Sequence, residues 1–315
     1  MPLIGRDEAL AELAELLTGD APGELRAGVG SGITLRRSRM PGFARNWVRC
    51  RPLVSFFILA CLFSWLIALP LGLLARDGIG SDLFALHYLT AYGPALAACV
   101  VLSVEGDFGS ALAALRDRFT RPFSRYWAIL GAGLPVLLFA GAALLQWITS
   151  GLWPDLRLIG QVGFLPLLAP ISAILLWLVT FGLGEELGWR GFALPRLLQR
   201  SGPIRASLVL GGCWALWHIP YFLYQPSYRA MGWPGLPVLG VSFVATALVF
   251  TWLLLGARGN LTPAVLFHAG FDVVTGSAVG EGLVAAVMSA AVWIGALALL
   301  IWWSVRPQDT LGGIA

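Results

Sequence analysis

The sequence predicts an all-α, polytopic membrane protein with about eight transmembrane helices around a mid-membrane polar cavity, and three observations carry that prediction. The composition is 58% hydrophobic and only 12% charged, at a mean hydropathy of +0.79, whereas soluble domains carry about 25% charged residues. Apolar stretches of about 20 residues, the length that crosses a bilayer, recur with short connections from position 52 to 304. The arginines gather at alternate ends of those stretches.

Residues 1–50 contain no apolar run of the signal-peptide kind. Asp7 to Leu17 reads as a short amphipathic helix, followed by a Gly-rich segment and by Arg36, Arg37, Arg39, Arg45 and Arg49, so 1–50 is expected to be a cytoplasmic, partly disordered, Arg-rich leader. A transmembrane domain is expected over 51–305, with a cytoplasmic tail at 306–315. The predicted spans are 52–75, 84–104, 126–149, 164–187, 205–224, 236–256, 261–279 and 282–304. Prolines 70, 94, 166, 170, 220 and 263 lie in or at the ends of spans. Membrane helices tolerate such prolines where neighbours satisfy the freed backbone groups.

One side of the spans carries Arg36, Arg37, Arg39, Arg45, Arg49, Arg51, Arg116, Arg118, Arg121, Arg125, Arg196, Arg200, Arg205, Arg258 and Arg306, against Arg76, Arg157 and Arg229 on the other. The positive-inside rule then places both termini in the cytoplasm. All the basic charge is arginine and none is lysine, which points to a GC-rich coding sequence and a bacterial plasma membrane. The arginines flank apolar runs instead of forming a stripe, so nucleic acid is not an expected partner; membrane lipids are. The four cysteines show no C-x-x-C pairing and read as small apolar residues.

The chemistry is expected where the fourth apolar run meets Glu185, Glu186 and Arg190. An ionised side chain at membrane depth costs roughly 2.5–3.5 kcal/mol on insertion scales and usually faces a cavity or a partner. The chain has three histidines, and two of them, His218 and His268, also lie deep in apolar runs. The turn Ser201-Gly202-Pro203 lies midway between positions 185 and 218. In an antiparallel hairpin, both residues therefore stand about 20 Å in from the turn. His268 lies about 15 Å inward of Arg258, and Asp272 follows one helical turn later on the same face. Glu186 and Arg190, four apart, have the spacing and orientation of a helical ion pair. A carboxylate and imidazoles lining one cavity suit attack by an activated water on an amide; two histidines and a carboxylate also suit a hydrolytic zinc. His87 reads as interfacial and Trp189 as a packing residue.

The segments EELGWRGF (185–192), WALWH (214–218) and HAGFD (268–272) together resemble the motifs EExxxR, FxxxH and HxxxN/D of the intramembrane type II CAAX prenyl protease and bacteriocin-processing family. The resemblance covers residues 164–275 and implies an intramembrane endopeptidase. It further implies that Glu185 acts as general base on a water with His218, that His268 and Asp272 line the oxyanion position, and that Glu186 and Arg190 form a supporting pair. Trp214 stands where the family often has phenylalanine, read as a mild change. Asp272 stands where some members have asparagine. It is therefore held neutral, orients His268, or ligates a metal. No metal is assigned; if zinc is used, its ligands would be Glu185, His218 and His268.

The implied substrate is a peptide or a membrane-associated, lipidated protein. Two rival readings use the same residues: a proton-coupled transporter, and a catalytically idle immunity or scaffold protein.

Overall fold

A computed structural model of the chain describes residues 41–76, 81–162 and 170–305. Positions 1–40 of the expected leader, 164–169 of the expected core and the expected tail 306–315 lie outside the described residues. Among the described residues every regular element is helical, and the chain is an integral membrane protein of the all-α class.

The labelled helices are α1 (Gly42–Cys50), α2 (Pro52–Arg76), α3 (Gly93–Glu105), α4 (Phe108–Thr120), α5 (Arg125–Ser150), α6 (Pro170–Leu198), α7 (Pro203–Trp217), α8 (Leu236–Gly256), α9 (Thr262–Thr275) and α10 (Leu283–Val305). Among the described residues each predicted apolar stretch is largely helical. Six helical segments, at α2, α5, α6, α7, α8 and α10, are long and apolar enough to cross a membrane, and a seventh would be Leu83–Thr90 joined to α3 across a 44° bend. The remaining predicted span corresponds to α9, which at 14 residues extends only about 21 Å. It is enclosed by α5, α6 and α8.

The helices divide by what they face. About a fifth of the apolar window of α5 and of α10 is buried, against half of α6 and slightly more of α7. On α2, Ile58, Leu62, Leu66, Leu69 and Leu73 are exposed at steps of three and four, which makes one apolar stripe that hydrocarbon solvates. The expected charge-bearing helix α6 is the central one, touching α3 and α9.

Small residues and polar ties hold the centre, because apolar contact alone gives helices in lipid no preference for one another. Gly184 and Gly188 face α3: a Cβ on Gly184 would meet Ala91 O at 2.7 Å, and one on Gly188 would collide with Pro94. The glutamates between these glycines are thereby turned away from α3. Ser207 and Thr251 share a 2.7 Å hydrogen bond between α7 and α8, a buried tie worth about 0.6 kcal/mol in membrane proteins. Asn260 Nδ2 donates to the carbonyls of Phe119 and Arg121, fastening the turn before α9 to the end of α4. At the start of the bundle, Arg49 Nε of α1 donates to Val104 O of α3 at 2.9 Å.

Two local features of α6 follow from its sequence. Leu178–Glu185 and Trp189–Ala193 are wound as π-helix, the wider turn often found at functional sites. The second of these stretches precedes Pro195, whose ring and missing N–H would clash with a regular α-turn, and the helix runs on to Leu198.

Candidate active site

Glu185, Glu186 and Arg190 are all buried, at 1%, 0% and 0% exposure, and each is held by named donors or acceptors. Glu185 Oε2 accepts from the indole N–H of Trp214 at 2.7 Å and from that of Trp189 at 3.2 Å. Among the described residues no protein hydrogen bond falls on its Oε1. Glu186 Oε1 accepts from Arg190 Nη1 and from His268 Nδ1, both at 2.8 Å. The guanidinium lies over the rings of Phe250 and Trp214, 3.8 and 4.3 Å from their centroids. Cation–π contact of this kind is worth about 2 kcal/mol when desolvated. The remaining atoms of the pair, Glu186 Oε2 and Arg190 Nε and Nη2, are buried without a partner among the described residues.

His218 is placed by the end of α7. Ile219 precedes Pro220, a position that disfavours continued helix, and α7 stops at Trp217. The backbone N–H of His218 reaches back to Ala215 O, so the carbonyl of Trp214, one residue earlier, loses its usual donor. His218 Nδ1 takes that carbonyl at 2.8 Å, and Trp65 Nε1 takes the carbonyl of Trp217 at 3.0 Å. With the proton on Nδ1, Nε2 is the lone-pair nitrogen. The ring stacks on Phe243 at 4.0 Å, while Tyr228 lies parallel at 6.1 Å.

His268, on α9, stands between two carboxylates: Nδ1 faces Glu186, and Nε2 is 3.3 Å from Asp272 Oδ2. Donation to both requires protons on both nitrogens. Asp272 is partly exposed, at 33%, and is the accessible end of this chain of groups. The ring of Trp214 contacts His268 at 5.5 Å between centroids. Glu185, Glu186, Arg190, His218, His268 and Asp272 thus form one connected network through Trp214.

The zinc option meets this geometry poorly. Among the described residues no three of His, Cys, Asp and Glu converge as a ligand set. Both nitrogens of His268 face carboxylates.

Three residues of the network carry more than the sequence reading assigned them. Trp214 and Trp189 donate to the glutamate itself; the signal for Trp189 was its i+4 spacing from Glu185, combined with the need of a buried indole N–H for an acceptor. Glu186 serves His268 as well as Arg190. His87 is buried, with Nδ1 2.8 Å from Tyr224 Oη.

Comparison with known proteins fits this constellation. Residues 166–274 match the family model described as Type II CAAX prenyl endopeptidase Rce1-like. The matched segment runs from just before α6 to the penultimate residue of α9 and contains all six of the expected site residues. It is also similar to CAAX prenyl protease 2 of Methanococcus maripaludis, at 35% identity over 104 residues, covering 31% of this chain and 37% of the relative. The chain therefore spans little more than a third of the curated relative it matches.

Proposed function

We propose that the protein is an intramembrane endopeptidase that hydrolyses a peptide bond with a water activated by Glu185 and His218. The observation that carries this reading is a buried carboxylate whose Oε2 takes two indole donors while its Oε1 has no partner among the described residues, tied through Trp214 to a histidine whose Nδ1 is fixed and whose Nε2 has no partner among them. Both the Rce1-like match and the relative's printed name support a peptidase.

In this reading a water donates to Glu185 Oε1 and to His218 Nε2. As its oxygen attacks the scissile carbonyl, Glu185 takes the proton and the carbonyl oxygen becomes an oxyanion. His268 carries positive charge between Glu186 and Asp272. Its longer bond, the one to Asp272, is the one exchanged for the oxyanion, so Nε2–H stabilises charge that exists only in the transition state. Glu185 then passes its proton to the leaving amine, the C–N bond breaks, and a carboxylic acid and an amine are released. A positioned general base contributes about 10²–10⁴ in rate.

No step requires a metal. The substrate is a membrane-associated protein or peptide, lipidated in keeping with the relative's name, and it reaches the site from the cytoplasmic face or laterally from the lipid. In this reading the protein resides in a bacterial plasma membrane, in keeping with basic charge that is all arginine, and both termini are cytoplasmic, in keeping with the arginine asymmetry. The test is cleavage of a membrane-anchored peptide library by the purified protein. Glu185→Gln and His218→Ala are each expected to reduce cleavage at least about 100-fold with normal insertion and melting. Undiminished cleavage by Glu185→Gln would sink the assignment, and glutamate-dependent flux in proteoliposomes without hydrolysis would replace it with the transporter.

A further inference from the structure

We infer that Trp214 is the positioning residue of the water-activating pair, holding Glu185 with its indole N–H and His218 with its main-chain carbonyl. This rests on the peptidase reading above and adds to it the element that brings the two groups into one geometry.

A single residue touches both halves. The 2.7 Å bond from Nε1 to Glu185 Oε2 spans from α7 to α6, and the carbonyl of the same residue accepts from His218 Nδ1 at 2.8 Å. Trp189 also donates to Oε2, but its bond is longer, 3.2 Å, and it comes from one turn along the same helix. It cannot fix α6 relative to α7. Trp214 therefore sets the helix register at the site, and the two indoles together leave Oε1 as the oxygen available to a water.

The ring is itself immobilised. Arg190 lies on its face, and Phe243 and Phe250 meet it at 4.7 and 5.8 Å between centroids in edge contacts. Arg190 is anchored in turn by Glu186. The ion pair thus acts on the chemistry indirectly: it fixes the indole that fixes the acid. Phenylalanine at 214 would keep an aromatic ring and the main-chain carbonyl but would have no donor for Glu185. Trp214 makes this chain's glutamate dependent on a side-chain donor that a phenylalanine at this position lacks.

The test uses the full chain in nanodiscs with a membrane-anchored peptide that the wild type cleaves. Trp214→Phe is expected to lower kcat about tenfold, equivalent to about 1.4 kcal/mol, with KM within about twofold and the melting temperature nearly unchanged. Trp189→Phe, which leaves the shorter bond in place, is expected to cost about threefold or less. Benzothienylalanine incorporated at 214, which keeps the shape of tryptophan with sulfur in place of N–H, should reproduce the loss seen with phenylalanine. Full activity with benzothienylalanine, or with both replacements, would overturn the proposal by showing that the ring acts through packing or not at all.

A second measurement is independent of turnover. The carboxyl infrared band of Glu185, assigned as the difference between wild type and Glu185→Gln, is expected to move in Trp214→Phe, and an unmoved band would overturn the proposal. A band that moves in a protein that cleaves no peptide would sink the peptidase reading and leave the tie between Trp214 and Glu185 standing.

Discussion

His268 Nδ1 lies 2.8 Å from Glu186 Oε1, so the second glutamate of the pair joins α6 to α9 as well as binding the arginine one turn along its own helix. Breaking a buried pair by removing one partner costs about 3–5 kcal/mol because it strands the other charge. Glu186→Ala is therefore expected to destabilise the protein by about that amount, seen as a lowered melting temperature in detergent. The double change Glu186→Gln with Arg190→Met should recover part of it. A Glu186→Ala protein that melts with the wild type would show that the shared carboxylate carries no structural weight.

Asp272 accepts from His268 and is the most accessible member of the network. Asparagine there would keep an acceptor for His268 and add an amide donor toward the oxyanion position. Asp272→Asn is expected to retain cleavage within about tenfold, while Asp272→Leu, which leaves His268 without the acceptor that orients its Nε2–H, falls by about 100-fold, the scale of losing the contact of His268 to the oxyanion. Equal loss in both variants would point instead to a requirement for the carboxylate charge.

The approach of α6 to α3 depends on the absence of side chains. A Cβ at Gly188 would meet the backbone and ring of Pro94, and forced overpacking costs about 1–3 kcal/mol. Gly188→Ala should lower the melting temperature and, by rotating the glutamates, the rate as well. Gly133→Ala on α5, where nothing lies within 4 Å, should be neutral or slightly stabilising, as alanine is the better helix former by up to about 1 kcal/mol. Matching behaviour of the two variants would argue against close packing as the reason for the glycines.

Cleavage is expected to survive exhaustive chelation, with metal analysis finding well under one zinc per chain. The reason is the donor geometry: both ring nitrogens of His268 face carboxylates, so neither offers a lone pair to a zinc ion. Activity lost on chelation and restored by zinc would overturn the metal-free water.

Much of this was legible in the chain itself. Period and length of apolar runs reveal membrane helices directly, because the bilayer sets one length scale and one solvent. Antiparallel geometry then brought Glu185 and His218 to one depth from residue counting alone. Less visible was the status of α9, an apolar stretch like the others that is too short to span on its own and is enclosed by neighbouring helices. Apolar composition records the absence of water and does not distinguish lipid from protein as the surroundings.

The partners of each charge were harder still to foresee. Glu186 with Arg190 is a local pair, fixed by four-residue spacing and readable as such. By contrast, the bonds from Trp214 to Glu185 and from His268 to Glu186 join positions 29 and 82 residues apart. They depend on helix rotation, which the π-wound turns of α6 and its glycine contacts with α3 determine.

The sequence by itself determined the membrane class, the apolar runs, the placing of Glu185, Glu186, His218 and His268 in or beside them, and the local ion pair, since each of these follows from composition, period or spacing along one helix. Only the tertiary structure decided which oxygen of Glu185 is free, which nitrogen of His218 is fixed, and that Trp214 stands between them. Those are properties of side chains meeting across helices, and their geometry exists only once the helices have packed.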